Sequence, residues 1–118
     1  MANKFFKKPP EELLEFIEEI LSLPKSAISI LEILLREKEA TIERLMKLTS
    51  ISRRTAHEQL KKMRKLGLIT RKASEIEGRL KYVYSAASIS EIIEILKKSL
   101  QGKLRKLEEL QKRVGRER

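Results

Sequence analysis

The chain has no cysteine, a single histidine (His57), a single asparagine (Asn3) and no long apolar run. Without cysteine, disulfides and thiolate chemistry are excluded, although that absence alone does not identify a compartment. With one histidine and no carboxylate set at metal-ligand spacing, no metal site is expected. No stretch approaches the roughly 20 apolar residues of a membrane span. The Lys/Glu-rich beginning has no signal-peptide pattern, so a soluble, intracellular and cytoplasmic protein is expected. There is no phosphate-binding glycine loop and no dinucleotide fingerprint, and Glu11-Glu12 and Glu18-Glu19 read as solvated helix faces. Neither an enzyme nor a cofactor is expected. High charge (37%) with so little asparagine resembles hyperthermophile usage.

What the chain does have is basic charge, unevenly placed. Residues 1–50 carry eight Lys/Arg against nine Asp/Glu, residues 51–86 carry ten against three, and residues 87–118 carry nine against five. The net of +10 is therefore concentrated in the middle of the chain, where a polyanion would lie.

That basic stretch has a legible order of elements. Ile42, Leu45, Met46 and Leu48 give a short helix an inward face, and Thr49-Ser50-Ile51-Ser52 forms a tight turn. Ser52 can cap the next helix by accepting a hydrogen bond from an orphan N–H of its first turn, and Ile51 plugs the core between the two helices. Ala56, Leu60, Met63 and Leu66 then recur at four-, three- and three-residue steps as one apolar stripe. The opposite face is left to Arg53, Arg54, His57, Glu58, Lys61, Lys62, Arg64 and Lys65. Gly67 suits the left-handed position after a last helical turn. The runs 68–74 and 80–85 are β-branched, aromatic and alternating, with Glu77-Gly78-Arg79 as the turn between them. Helix, turn, basic helix and basic hairpin define a winged helix-turn-helix.

The flanks supply a helical scaffold. Pro9-Pro10-Glu11-Glu12 suits a helix start, and Leu13, Ile17, Ile20 and Leu21 form its stripe. After Pro24, Ala27, Ile28, Ile30, Leu31, Ile33, Leu34 and Leu35 are apolar nearly all round, which predicts a central helix. The fold class expected is mainly α with a small β-hairpin (α+β), with helices about 10–22, 25–38, 41–49 and 53–66 and strands about 68–75 and 79–86. Residues 1–86 are expected to form the DNA-binding unit and residues 87–118 a dimerisation helix. That last helix starts at a capping box, Ser88-Ile89-Ser90-Glu91. Ile89, Ile92, Ile93, Leu96, Leu100, Leu104, Leu107, Leu110 and Val114 continue along it for about 26 residues, or ~39 Å. One reading packs its first half on helix one and frays its second half into the basic tail. The other pairs Ile89, Ile93, Leu96, Leu100, Leu104, Leu107 and Leu110 with a second copy in a coiled coil, which avoids a large exposed apolar patch. Gly102 inside it marks a bend or a close crossing.

The runs Ala40–Leu45, Ile51–Thr55 and Leu60–Ile69, with the following hairpin, resemble archaeal winged helix-turn-helix regulators of the TrmB, MarR and ArsR type. They are most like small versions consisting of the winged domain and a C-terminal dimerising helix. The resemblance covers about residues 25–86 well and the outer helices loosely. It implies a dimer that binds double-stranded DNA near promoters, with the recognition helix in the major groove and the wing on the minor groove or phosphates. Full-length TrmB-type sugar sensors carry a large effector domain that this chain lacks, and metal-sensing relatives carry Cys/His clusters that it also lacks.

On that geometry Arg53 and Arg54 are placed to reach base edges or phosphates, and Ser52 and Thr55 to position the backbone. His57 is a groove contact or a solvated side chain. Lys61, Lys62 and Arg64, further along the helix, are placed for phosphates. Lys72, Arg79 and Lys81 are the wing candidates, with Arg71 on the opposite face and Tyr82 and Tyr84 sharing a packing face. Two other binding roles compete with that of a regulator: a chromatin-like, nucleoid-associated protein that coats DNA through phosphates, and a winged-helix subunit that binds protein. No effector ligand is named by the residues.

Overall fold

In the computed structural model residues 9–116 are described; the first eight residues of the expected DNA-binding unit, and Glu117 and Arg118 of the basic tail, lie outside the described residues. The elements are α1 (Glu11–Leu21), α2 (Lys25–Glu37), β1 (Glu39–Ala40), α3 (Ile42–Thr49), α4 (Arg53–Leu66), β2 (Ile69–Ile76), β3 (Arg79–Ala86) and α5 (Ile89–Arg116). The architecture is mainly helical with a small antiparallel sheet, as the sequence implies.

Each helix begins where the chain supplies an acceptor for its orphan N–H groups. The Pro10 carbonyl accepts from Leu13 at 3.0 Å, and the Pro24 carbonyl accepts from Ala27 at 3.0 Å. Thr41 Oγ1 accepts from the Arg44 N–H at 3.3 Å and Ser52 Oγ from the Thr55 N–H at 3.2 Å. At α5 the capping box closes in both directions: Ser88 Oγ accepts from the Glu91 N–H at 3.1 Å, and the Ser88 N–H donates to Glu91 Oε1 at 2.9 Å. α4 ends at Gly67, whose φ of +84° lets Leu68 N–H reach back to the Met63 carbonyl at 3.0 Å.

α2 is the centre of the core. Ala27, Ile30, Leu31 and Leu34 are buried on it, and α1, α3, α4 and β3 pack around it. Ile17, Leu45, Ala56, Leu60, Met63 and Ile92 close in from the surrounding helices, and Ile51 packs against them from the turn. Two leucines expected to face inward do not: Leu48 is 40% exposed and Leu66 37%. At 100° per residue each lies on the flank of its helix rather than at the centre of the buried stripe, and Leu68 fills the position beyond Leu66 instead.

The expected hairpin gains a third strand. β1 pairs with β3 through Glu39↔Ser85 and Ala40↔Tyr84, giving the order β1-β3-β2. The β2–β3 register runs from Ile69↔Ala86 to Ile76↔Arg79 across a two-residue turn, Glu77-Gly78. Both turn residues have positive φ, 52° and 77°, as a type I′ turn requires of strands with right-handed twist. At the base of the hairpin the Ala87 N–H donates to the Leu68 carbonyl at 2.8 Å.

Helix α5 runs unbroken past Gly102. Its first part packs on α1, with Ile92 and Leu96 buried. Beyond Leu100 its apolar stripe leaves the body of the molecule.

Candidate nucleic-acid interface

Burying Ala56, Leu60 and Met63 turns the opposite side of α4 to solvent. Arg54, His57, Lys61 and Lys62 are exposed there, Ser52 is exposed at the cap and Thr55 is half-buried. The Arg54 side chain is 90% exposed, with Glu58 of its own helix 3.7 Å away. Arg64 departs from the exposed row expected of it. It is half-buried, and its Nε is shut off from solvent without an acceptor. It lies about 80° round the helix from Ala56, so its stem runs along the core margin.

Strand alternation sorts the wing into two faces. Lys72 is opposite Val83, Ser74 opposite Lys81 and Ile76 opposite Arg79, so Lys72, Lys81 and Arg79 share one face. Arg71 is opposite Tyr84 and lies on the other face, where its guanidinium stacks over the Tyr82 ring at 3.9 Å from the centroid. Tyr84, near the sheet base, is buried, whereas Tyr82, further out, is half exposed.

The basic face of the wing and the start of α4 meet at one acidic residue. Glu43, in the first turn of α3, has Oε2 3.4 Å from Arg53 Nη2 and Oε1 3.9 Å from Lys81 Nζ. Its carboxyl is held below the usual range first by its own backbone N–H, with smaller contributions from Lys81 and Arg53 set against partial burial. Glu43 thus joins α3, α4 and β3, a role that sequence reasoning missed because an acid in the first turn of a short helix reads as ordinary dipole complementarity. A similar tie precedes it: Arg44 donates from Nε and Nη2 to the two carboxylate oxygens of Glu37 at 3.2 and 3.0 Å, fixing α3 against the end of α2.

The residues expected to pair two copies divide into two groups. Leu96 is 4% exposed and belongs to the core, and Ile89 is half-buried against it. That corrects the expected place of Leu96 on the free stripe: α1 already covers this part of α5. Ile93, Leu100, Leu104, Leu107 and Leu110 are exposed, joined by Val114. Phe16 of α1 is exposed as well and lines, with Ile93 and Leu100, an open groove of about 340 Å³ between α1 and α5. Among the described residues no group of three or more His, Cys, Asp or Glu could hold a metal ion, and no helix is long and apolar enough to cross a membrane.

A helical core built around α2, a capped helix presenting a basic face and a two-stranded wing define a DNA-binding winged helix-turn-helix of the kind found in transcriptional regulators. Residues 17–80, more than half of the chain, match the MarR family, and the protein belongs to it. A possible transcriptional regulator from Methanosarcina mazei is 22% identical with a TM-score of 0.74, and the match covers 84% of this chain and 85% of that one. A protein from the thermoacidophilic archaeon Sulfolobus tokodaii is 26% identical with a TM-score of 0.64, over 83% and 93% of the two chains. The archaeal chromatin protein TrmBL2 shares the fold at 15% identity and a TM-score of 0.68, over 99% of this chain and 40% of its own. No curated protein matches the chain at a significant level.

Proposed function

We propose that the protein is a dimeric, double-stranded-DNA-binding regulator of transcription, with α4 in the major groove and the basic wing face on the minor groove or phosphates. One observation carries this reading: Arg53 of α4 and Lys81 of the wing lie within 4 Å of the same carboxylate, so the two basic elements present their charges on one side. A solvated charge run would have no reason to converge in this way. Arg54 is the residue best placed to read a base, with Arg53, His57, Lys61 and Lys62 beside it and Lys72, Arg79 and Lys81 on the wing. Ser52 and Thr55 hold the backbone, and Arg64 contributes field rather than a direct contact. The exposed stripe from Leu100 to Val114, continued by Ile93 and Phe16, supports pairing of two copies along α5.

Selection from a random duplex pool tests the proposal, followed by titration of the winner and a scrambled duplex at several salt concentrations. A regulator yields a two-fold-related motif with half-sites about one helical turn apart and at least ~10³-fold preference over scrambled DNA. Equal affinity for both duplexes would assign an architectural role, in keeping with the fold similarity to TrmBL2 over nearly the whole chain. Failure to bind either duplex at low salt would assign a protein-binding role.

A further inference from the structure

The carboxylate of Glu43 is out of place on a surface built to meet phosphates. Residues 51–86 hold ten basic residues against three acidic ones, and Glu43 sits from α3 between two of those bases. It repels a polyanion and occupies cations that would otherwise attract one. Stability from its two ion pairs does not account for it. The side chains of Arg53, Glu43 and Lys81 are 53%, 49% and 37% exposed, and ion pairs so open to water contribute little to folding.

Its geometry suggests a different use. Arg53 and Arg54 are adjacent at the start of α4, yet they are held differently: Arg54 extends into solvent beside Glu58 of its own helix, whereas Arg53 is drawn toward α3 and the wing. Lys81 is drawn to the same point from β3. A protein that only coats DNA gains from every free cation, because each phosphate it neutralises releases counterions. A protein that must reject most sequences gains from the opposite arrangement, in which the wrong duplex leaves charges where they are.

From this we infer that Glu43 is a specificity-determining residue, which restrains Arg53 and Lys81 from indiscriminate phosphate contact and yields them only to a duplex whose groove offers both a replacement partner. The inference rests on the reading that the protein binds duplex DNA. On a matching site the carboxylate loses its two cations together, since α4 and the wing engage at once. On other DNA they stay on Glu43, and fewer phosphates are neutralised.

The isosteric, uncharged variant Glu43→Gln tests this, with Glu94→Gln on α5 as a control that makes the same charge change at a residue paired with Lys97 of its own helix and with neither Arg53 nor Lys81. Affinity and its salt dependence are measured on the selected and the scrambled duplex for the wild-type protein and both variants. Glu43→Gln is expected to bind scrambled DNA about 10-fold more tightly, with a salt slope steeper by roughly one to two contacts at about 0.9 each. The selected duplex should gain less than about 3-fold, so the preference falls, while Glu94→Gln keeps both the wild-type preference and the wild-type slope. Wild-type values for Glu43→Gln on both duplexes, or an equal gain on both, would overturn the inference and leave DNA binding intact. Failure of the wild-type protein to bind any duplex would remove both.

Discussion

At the scale of the residue, position on a helix decides what a basic side chain can do. Arg54 lies about 160° from Ala56 around α4, directly away from the core, and its guanidinium, 90% exposed and 3.7 Å from Glu58, can turn to form the two parallel hydrogen bonds that guanine offers. Arg54→Ala is expected to cost ~1–3 kcal/mol on the selected duplex and clearly less on a scrambled one, measured by titration at a single salt concentration. Equal losses on both would make Arg54 a phosphate contact. Angular position also limits what the sequence alone reveals. Ser52, Gly67 and the pair Ser88/Glu91 were legible because a cap depends on a few adjacent residues. Leu48 and Leu66 were misjudged because three-residue spacing alone admits flank positions. Glu43 left no trace at all, since its partners Arg53 and Lys81 lie ten and 38 positions further on.

At the scale of the element, local signals place helices well and reveal little about what covers them. The two residues of β1 are too few for any alternation to register, so the third strand emerges only from pairing with β3. Along α5 the apolar residues recur evenly from Ile89 to Val114, yet Leu96 is spent on the core and Leu107 is 62% exposed. Periodicity identifies a stripe, and only the position of α1 divides it. The start of α5 carries a pH response. The Glu91 carboxyl is held below its ordinary value by the Ser88 backbone N–H first and the Ser88 hydroxyl second. A lowered carboxyl lends stability above its unfolded value, about 4.3, and that stability is lost as the pH falls through the folded value. Glu37, lowered chiefly by its hydrogen bonds from Arg44, and Glu43 act in the same direction. Glu91→Gln keeps a capping side chain without a titrating charge. The difference between its urea midpoints at about pH 7 and about pH 3.5 is expected to be smaller than in the wild-type protein. An unchanged difference would remove Glu91 from the acid response.

At the scale of the whole molecule, the described residues extend 67 × 36 × 23 Å, an elongated shape set by α5 leaving the domain. Its exposed leucines are what a second copy would cover. Leu107→Glu places a charge in the middle of that stripe and outside the core, so the fold should survive. The expected outcome is a monomer by sedimentation at micromolar concentration and a loss of at least about 10-fold in affinity for a two-half-site duplex, because the second half-site then binds without the benefit of linkage. A variant that stays dimeric would move the interface elsewhere. The bond from Ala87 to Leu68 fastens the root of α5 to the base of the wing. In the proposed dimer α5 is then the arm of a pair of calipers. From Leu107, in the middle of the exposed stripe, back to Ile89 is ~27 Å, so a change of about 10° where two arms cross there shifts their far ends by roughly 5 Å, more than one base-pair step of duplex. Spacing on DNA would be set by the angle at which two helices cross, tens of ångströms from any base.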